Sequence, residues 1–115
     1  MNVKTDKKVN KKIKNIIDKI EKYLINKYGI NSVKATILYG SHARGEVRES
    51  SDIDVLVVVN NSLDPMEVRK SLSEIILDIL LNDGELVSIV VVRQNFFENY
   101  KSPFILNVKR EGVRI

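Results

Sequence analysis

The chain has 115 residues, of which 43% are hydrophobic and 30% are charged, a composition typical of one globular domain with a single core. It has no cysteine, which excludes a disulfide framework and a thiolate metal site, and no apolar run approaches the roughly 20 residues that span a bilayer. The N-terminus leads into lysines and not into an apolar signal core, so we expect a cytoplasmic protein and one domain over residues 1–115.

The net charge of +4 is unevenly distributed. Residues 1–27 contain nine lysines and three acidic residues, whereas acidic residues are in slight excess in the remainder. Such a basic segment can bind nucleic acid or an acidic partner, or it can be the solvated face of a helix. We favour the solvated face, because no aromatic residue lies between Lys4 and Lys19 to stack on bases. Nucleic-acid binding remains a third, less favoured hypothesis.

The first predicted elements are a helix and a strand. Isoleucine and leucine recur three and four residues apart from about residue 8 to Tyr28, which predicts an amphipathic helix that ends at Gly29. The β-branched and apolar run Val33–Tyr39 predicts a strand that enters the turn Gly40-Ser41. The polar segment 42–51 is predicted to be a loop with one short helical turn.

Two more strands and further helices follow. Residues 52–59 begin polar and become continuously apolar, which is typical of a strand covered on both faces. We predict a helix over 65–81, a third strand over 86–92, and two short helices in the tail, separated at Ser102-Pro103. This alternation predicts an α/β (α+β) fold with helices packed on a small mixed sheet.

The predicted helix 65–81 is apolar on more than one side. Its spacing predicts a buried stripe, which consists of Val68, Leu72, Ile75, Ile76, Ile79 and Leu80. Leucines outside this stripe leave two interpretations open: the helix is deeply packed, or part of it is an interface. The tail aromatic residues Phe96, Phe97, Tyr100 and Phe104 are assigned to the core or to a partner and not to base stacking.

Asp52 and Asp54 are the first candidates for chemistry. Side chains two apart on a strand share a face, so both carboxylates are expected to project together. Two charges about 4 Å apart repel by roughly 4 kcal/mol at an effective dielectric near 20. A divalent cation removes that cost, and magnesium is commonly held by one or two carboxylates plus substrate phosphates. A solvated strand end is the alternative interpretation of an isolated Asp-x-Asp.

The turn Gly40-Ser41 is a candidate phosphate site. Gly40 allows close approach of the backbone to a ligand, the Ser41 hydroxyl adds a donor, and Arg44 can contact a phosphate. Because only ten residues separate Ser41 from Asp52, the two strands are expected to be antiparallel neighbours, with the turn facing the carboxylates. Phosphoryl or nucleotidyl transfer requires these parts, since it depends on positioning and charge neutralisation.

The segments 38–45 and 51–57, LYGSHARG and SDIDVLV, resemble the active-site signature of the DNA polymerase β-like nucleotidyltransferase superfamily. They resemble the minimal nucleotidyltransferases in particular, short prokaryotic proteins often paired with a helical HEPN partner. The resemblance implies a polymerase β palm-like fold. It also implies that Gly40 and Ser41 bind the β- and γ-phosphates of a nucleoside triphosphate and that Arg44 supports the turn or the phosphates. Asp52 and Asp54 would be the catalytic residues that bind Mg²⁺.

The resemblance further implies an enzyme that transfers a nucleoside monophosphate, with ATP as the expected donor, to a hydroxyl and releases pyrophosphate. The acceptor would be a HEPN-type protein, in a pair that acts like toxin and antitoxin. Homo- and hetero-oligomers are both compatible with this expectation.

One position departs from the family pattern. Active members usually carry a third acidic residue on a later strand, and Ser88 occupies its expected place. Glu85 lies three residues earlier, with the opposite strand parity. The alternative hypothesis is therefore a nucleotide-binding regulatory subunit of a two-protein complex, with little or no turnover. The one histidine, His42, is predicted to be an exposed loop residue.

Overall fold

The computed structural model describes residues 4–5, 9–46 and 51–115. The strands in these ranges are Lys4–Thr5 (β1), Val33–Tyr39 (β2), Ile53–Val59 (β3), Val87–Arg93 (β4) and Val113–Arg114 (β5). The helices are Lys11–Tyr28 (α1), Ser41–Arg44 (α2), Pro65–Ser71 (α3), Ser73–Asp83 (α4), Gln94–Asn99 (α5) and Pro103–Glu111 (α6). The predicted start of the first helix at residue 8 lies outside the described residues. No helix within them is long and apolar enough to cross a membrane.

The described strands form one mixed sheet in the order β1-β5-β2-β3-β4. β2 and β3 are antiparallel, as predicted, and β3 and β4 are parallel, joined by a crossover through α3 and α4. β5 pairs antiparallel with β2 and parallel with β1. The sequence did not indicate β1 or β5, because two residues are too few to show an alternating pattern.

Helices cover both faces of the sheet. On one face, α1, α3 and α4 pack on strand residues that include Leu38, Val55 and Val57. On the other face, α5 and α6 pack on residues that include Ile37, Leu56 and Val58. Successive strand residues point to opposite faces, so Asp54 belongs to the α5/α6 face. This alternation explains the continuous apolar run of β3, whose residues from Val55 to Val59 are all buried.

The segment 65–81 forms two helices and not the single helix predicted. α3 ends at Ser71 and α4 begins at Ser73, with Leu72 between them. Leu72 is fully buried and anchors the junction in the core. The predicted stripe continues across the break through Leu72, Ile75, Ile76 and Ile79, and it is wrong only at its last member. Leu80 is 40% exposed, although its spacing predicts burial.

Candidate active site

The candidate residues converge at one end of the sheet, where β2 ends and β3 begins. Gly40 follows β2, α2 starts at Ser41, and Asp52 immediately precedes β3. Tyr39 and Asp54 are paired across the two strands. The structure therefore brings the predicted turn and the two aspartates together. The roles assigned to these residues remain predictions.

Gly40 packs directly against Asp54. Its backbone has φ +74° and ψ −154°, a region open essentially to glycine alone. A Cβ at this position would overlap Oδ2 of the Asp54 carboxylate. The Gly40 carbonyl accepts hydrogen bonds of 3.1 Å from the amides of Ala43 and Arg44, which fix the turn. Glycine is therefore required here both by the conformation and by the close approach of the turn to a carboxylate.

Negative charge is concentrated beside this turn. Burial raises the pKa of the Asp54 carboxyl above its ordinary value, and the neighbouring charge of Asp52 raises it further. The nearby His42 and Arg44 side chains lower the Asp54 pKa and partly offset this rise. Burial, together with Asp54, also raises the pKa of the Tyr39 phenol. The site therefore favours a bound cation, since a cation would offset the cost of ionising Asp54.

The residues fit a magnesium ion that is completed by substrate. Within residues 9–46 and 51–115, no three His, Cys, Asp or Glu side chains converge to form an all-protein cage. Two carboxylates would therefore leave the remaining positions to phosphate oxygens and water, which is the usual arrangement for Mg²⁺. Gly40 leaves free the space beside Oδ2 of Asp54 that any side chain would fill. The identity of the cation remains a prediction.

Arg44 is held in two ion pairs. Its Nε lies 3.3 Å from Oε2 of Glu46, and its Nη1 lies 3.2 Å from Oε2 of Glu111 at the end of α6. Hydrogen bonds to these carboxylates raise the Arg44 pKa. Arg44 thus ties α2 to α6 and supports the turn, and a direct phosphate contact would have to compete with these pairs. The sequence did not indicate Glu111, because it is 67 positions away.

Ser88 lies beside Asp54. The two residues are in register on the parallel strands β3 and β4, so their side chains share a face about 5 Å apart. Ser88 is exposed. Glu85 instead makes an ion pair with Lys12 of α1, with 3.4 Å between Oε1 and Nζ. Ser88, not Glu85, is therefore the residue of this strand that lies beside Asp54.

His42 differs from its prediction, because it is half-buried and not an exposed loop residue. It belongs to α2, and its Nε2 lies 3.4 Å from the carbonyl oxygen of Ser51. Its Nδ1 is buried and has no hydrogen-bond partner among the described residues. The imidazole therefore spans from the turn to the residue before Asp52.

The tail aromatic residues divide between the core and the surface, and their assignment to a partner stays a prediction. Phe97 is buried in the core, whereas Phe96 and Tyr100 are partly exposed and stack with 4.6 Å between ring centroids. Phe104 contacts Tyr39 edge to face, with ring centroids 5.5 Å apart. Because Tyr39 pairs with Asp54, this aromatic contact forms a wall of the site. The sequence indicated Tyr39 only as the end of a strand.

The family model of the polymerase β nucleotidyltransferases matches residues 11–115. A Methanocaldococcus jannaschii protein named as a protein adenylyltransferase is 32% identical over 81 residues, which are 70% of this chain and 75% of the relative. Spectinomycin 9-adenylyltransferase of Staphylococcus aureus is 42% identical over 66 residues. That match covers 57% of this chain but only 25% of the S. aureus enzyme.

Two solved structures share the fold. A chain of a toxin–antitoxin crystal structure with AMP-PNP aligns with a TM-score of 0.58 and 20% identity, over 87% of this chain and 69% of that chain. A chain of the toxin–antitoxin MntA–HpeT aligns with a TM-score of 0.56 and 20% identity, over 89% of this chain and 70% of that chain. At this identity the likeness shows a common architecture.

Proposed function

The chain belongs to the polymerase β nucleotidyltransferase family as a minimal nucleotidyltransferase, and on this premise we propose that it transfers AMP from ATP to a hydroxyl of a partner protein. The packing of Gly40 on the Asp54 carboxylate carries the proposal. It sets the proposed phosphate-binding turn directly against Asp54, whose pKa the neighbouring charge of Asp52 raises. Neither the turn alone nor the carboxylates alone would specify nucleotidyl transfer. Together they supply the phosphate-binding part and the metal-binding part of a metal–triphosphate site.

Each of the candidate residues has a separate role in the proposed reaction. The turn and the Ser41 hydroxyl bind the β- and γ-phosphates, and Arg44 supports the turn through its pair with Glu111. Asp52 and Asp54 hold Mg²⁺, which when bound neutralises developing charge. The acceptor oxygen forms a bond to the α-phosphorus while the bond from that phosphorus to the bridging oxygen breaks. Pyrophosphate leaves, and the hydroxyl proton passes to water.

ATP and a protein acceptor are proposed from the relatives. The two similar proteins are named adenylyltransferases, and one of them is named as acting on protein. One structural neighbour was crystallised with AMP-PNP, and both neighbours are described as toxin–antitoxin. We accordingly propose that this chain acts as the antitoxin-like member of a pair and that its partner is a HEPN-type helical protein.

Label transfer tests the proposed function. The chain is incubated with Mg²⁺, the protein encoded by the neighbouring gene, and ATP labelled on either the α- or the γ-phosphate. We expect the label to enter the partner from α-labelled ATP only, with release of pyrophosphate. Transfer of the γ-label would indicate a kinase, and failure to transfer either label would contradict nucleotidyl transfer.

Ser88 favours a second candidate, a nucleotide-binding subunit with little turnover. A serine hydroxyl is not ionised near neutral pH, so it can neither bind a metal as a carboxylate does nor accept the acceptor's proton efficiently. Calorimetry with ATP and Mg²⁺ separates the two candidates when it is combined with a pyrophosphate assay. Binding without any pyrophosphate release would favour the regulatory subunit.

Replacing Ser88 with aspartate is expected to raise the transfer rate by about 10- to 100-fold. The new carboxylate would stand in register with Asp54, where it could accept the proton, and a positioned general base typically contributes at least about 100-fold. Initial rates of α-label transfer measure the effect. Ser88→Asn is the matched control, because asparagine has nearly the same shape as aspartate but carries no charge. An unchanged rate, or an equal gain in both variants, would contradict this prediction.

A further inference from the structure

Phe104 is the exposed tail residue that touches the candidate active site. It lies in the first turn of α6 and is 39% exposed, whereas the next residue, Ile105, is fully buried. Single exposed apolar side chains are common on protein surfaces and indicate no function by themselves. Phe104 differs because its ring contacts Tyr39, which is paired with Asp54. An exposed aromatic ring thus lies one side chain away from a candidate metal ligand.

The helix α6 contacts the candidate active site at both of its ends. Phe104, Val108 and Glu111 are four and three residues apart, so they lie on one side of the helix. Val108, between the other two, is buried against the sheet. At one end Phe104 contacts Tyr39, and at the other end Glu111 pairs with Arg44. The two contacts are two helical turns apart, which is about 10 Å along the helix axis.

The two ends of α6 present different chemistry to a ligand. The Glu111 end holds Arg44 beside the turn proposed to bind phosphate, whereas the Phe104 end is aromatic and uncharged. A nucleoside triphosphate has the same polarity, with anionic phosphates at one end and an aromatic base at the other. With the β- and γ-phosphates at the turn and the α-phosphate beside Asp54, the ribose spans the remaining distance and the base reaches Phe104.

Other groups around the site offer the base no comparable surface. On the β4 side, the residue in register with Asp54 is Ser88, whose side chain is polar and cannot stack. The other two exposed aromatic residues within 9–46 and 51–115 are Phe96 and Tyr100, and they line a cavity at the Arg93 end of β4. That end is roughly 16 Å from Ser88 along the strand. Stacking beside the carboxylates therefore falls to the helix α6.

We propose that Phe104 is the platform on which the base of the nucleoside triphosphate stacks, with Tyr39 holding its ring in place. The proposal rests on the proposed function for the position of the phosphates and extends it to the base. It departs from the sequence-based expectation, which did not assign the tail aromatic residues to base stacking. The contact between Phe104 and Tyr39 exists only in the folded chain, because the two residues come from distant segments.

Paired calorimetric titrations test the platform. The full chain is titrated, in the presence of Mg²⁺, with AMP-PNP and with tripolyphosphate, which has the phosphates but no base. Because the two ligands differ in charge, each affinity is compared between the native chain and a variant. Phe104→Leu retains an apolar side chain against Tyr39 but has no aromatic face. We expect it to bind AMP-PNP at least about fivefold more weakly and tripolyphosphate as the native chain does.

Two further variants are the controls. Phe104→Tyr retains the ring and should keep at least half of the native affinity for AMP-PNP. Phe96→Leu removes an equally exposed ring at the other end of β4 and should bind both ligands as the native chain does. Circular dichroism verifies that each variant is folded.

The outcomes separate the platform from the phosphate site. Unchanged AMP-PNP affinity in Phe104→Leu, with tripolyphosphate still bound, would overturn the platform and leave the phosphate site standing. An equal loss of both ligands in Phe104→Leu would also overturn it, because Phe104 would then support the turn and not the base. Failure of the native chain to bind either ligand would overturn the platform together with the proposed function.

Discussion

Replacing Asp54 with asparagine is expected to reduce nucleotidyl transfer by about a thousandfold. Metal coordination provides several kcal/mol of stabilisation to the charge that develops in such reactions, and each 1.4 kcal/mol is about a factor of ten in rate. Asparagine has nearly the same shape but no charge, so the Mg²⁺ site would retain only one carboxylate. Initial rates of α-label transfer from ATP measure the effect.

Without metal, the Asp54→Asn variant should be at least as stable as the native chain at neutral pH. Burial and Asp52 raise the Asp54 pKa, so the folded state binds more protons than the unfolded state, and stability falls as the pH rises through that folded pKa. Asparagine removes this cost. We expect its melting temperature to equal or exceed the native value at pH 7, with the advantage lost in acid, where Asp54 is protonated.

Melting curves at both pH values therefore distinguish a lost active site from a lost fold. Retention of full transfer activity in Asp54→Asn would contradict the metal role assigned to this residue. Loss of activity that merely accompanies a large fall in melting temperature at pH 7 would contradict the electrostatic description of the site.

Replacing Gly40 with alanine is expected to lower nucleotidyl transfer by about a hundredfold. The added Cβ would overlap Oδ2 of Asp54 and displace the carboxylate, and small misplacements in a catalytic site can cost about 100-fold. The backbone conformation at Gly40 also disfavours alanine, so some loss of stability is expected. Transfer rates and melting temperatures are measured together.

Gly45→Ala is the comparison variant for this effect. Gly45 also has φ +74°, but a Cβ there would have no heavy atom within 4 Å. A left-handed alanine costs about 1 kcal/mol, so we expect a lower melting temperature and a nearly unchanged transfer rate. In the double variant Gly40→Ala/Asp54→Ala the overlap disappears, so part of the stability should return without activity. Equal loss of activity in Gly40→Ala and Gly45→Ala would contradict the specific role of the Gly40–Asp54 contact.

The central part of the fold could be predicted from local patterns. α1 and β2 end where their spacing indicates, and β2 and β3 pair antiparallel because their connection is short. The break at Leu72 could not be predicted, since an apolar residue within an apolar helix carries no local signal. β5 was not predicted, because a strand of two residues is stabilised by its neighbouring strands and not by its own sequence pattern.

The parts of the site that depend on spacing along the chain could be predicted from the sequence. The parts that depend on contacts between residues far apart in the sequence could not. The ten residues between Ser41 and Asp52 indicate that the turn faces the carboxylates, and the structure places Gly40 against Asp54. The register of β4 was needed to place Ser88 beside Asp54, since two helices separate that strand from β3 along the chain. The pairing of Arg44 with Glu111 joins residues that only the folded chain brings together.

Calorimetric titration of the chain with AMP-PNP, with and without Mg²⁺, tests the central claim most directly. If Asp52 and Asp54 hold the cation against the triphosphate, Mg²⁺ should tighten AMP-PNP binding by at least about tenfold in the native chain and should have no such effect on Asp52→Asn/Asp54→Asn. The same magnesium dependence in both proteins, or no binding of AMP-PNP to the native chain, would contradict the account.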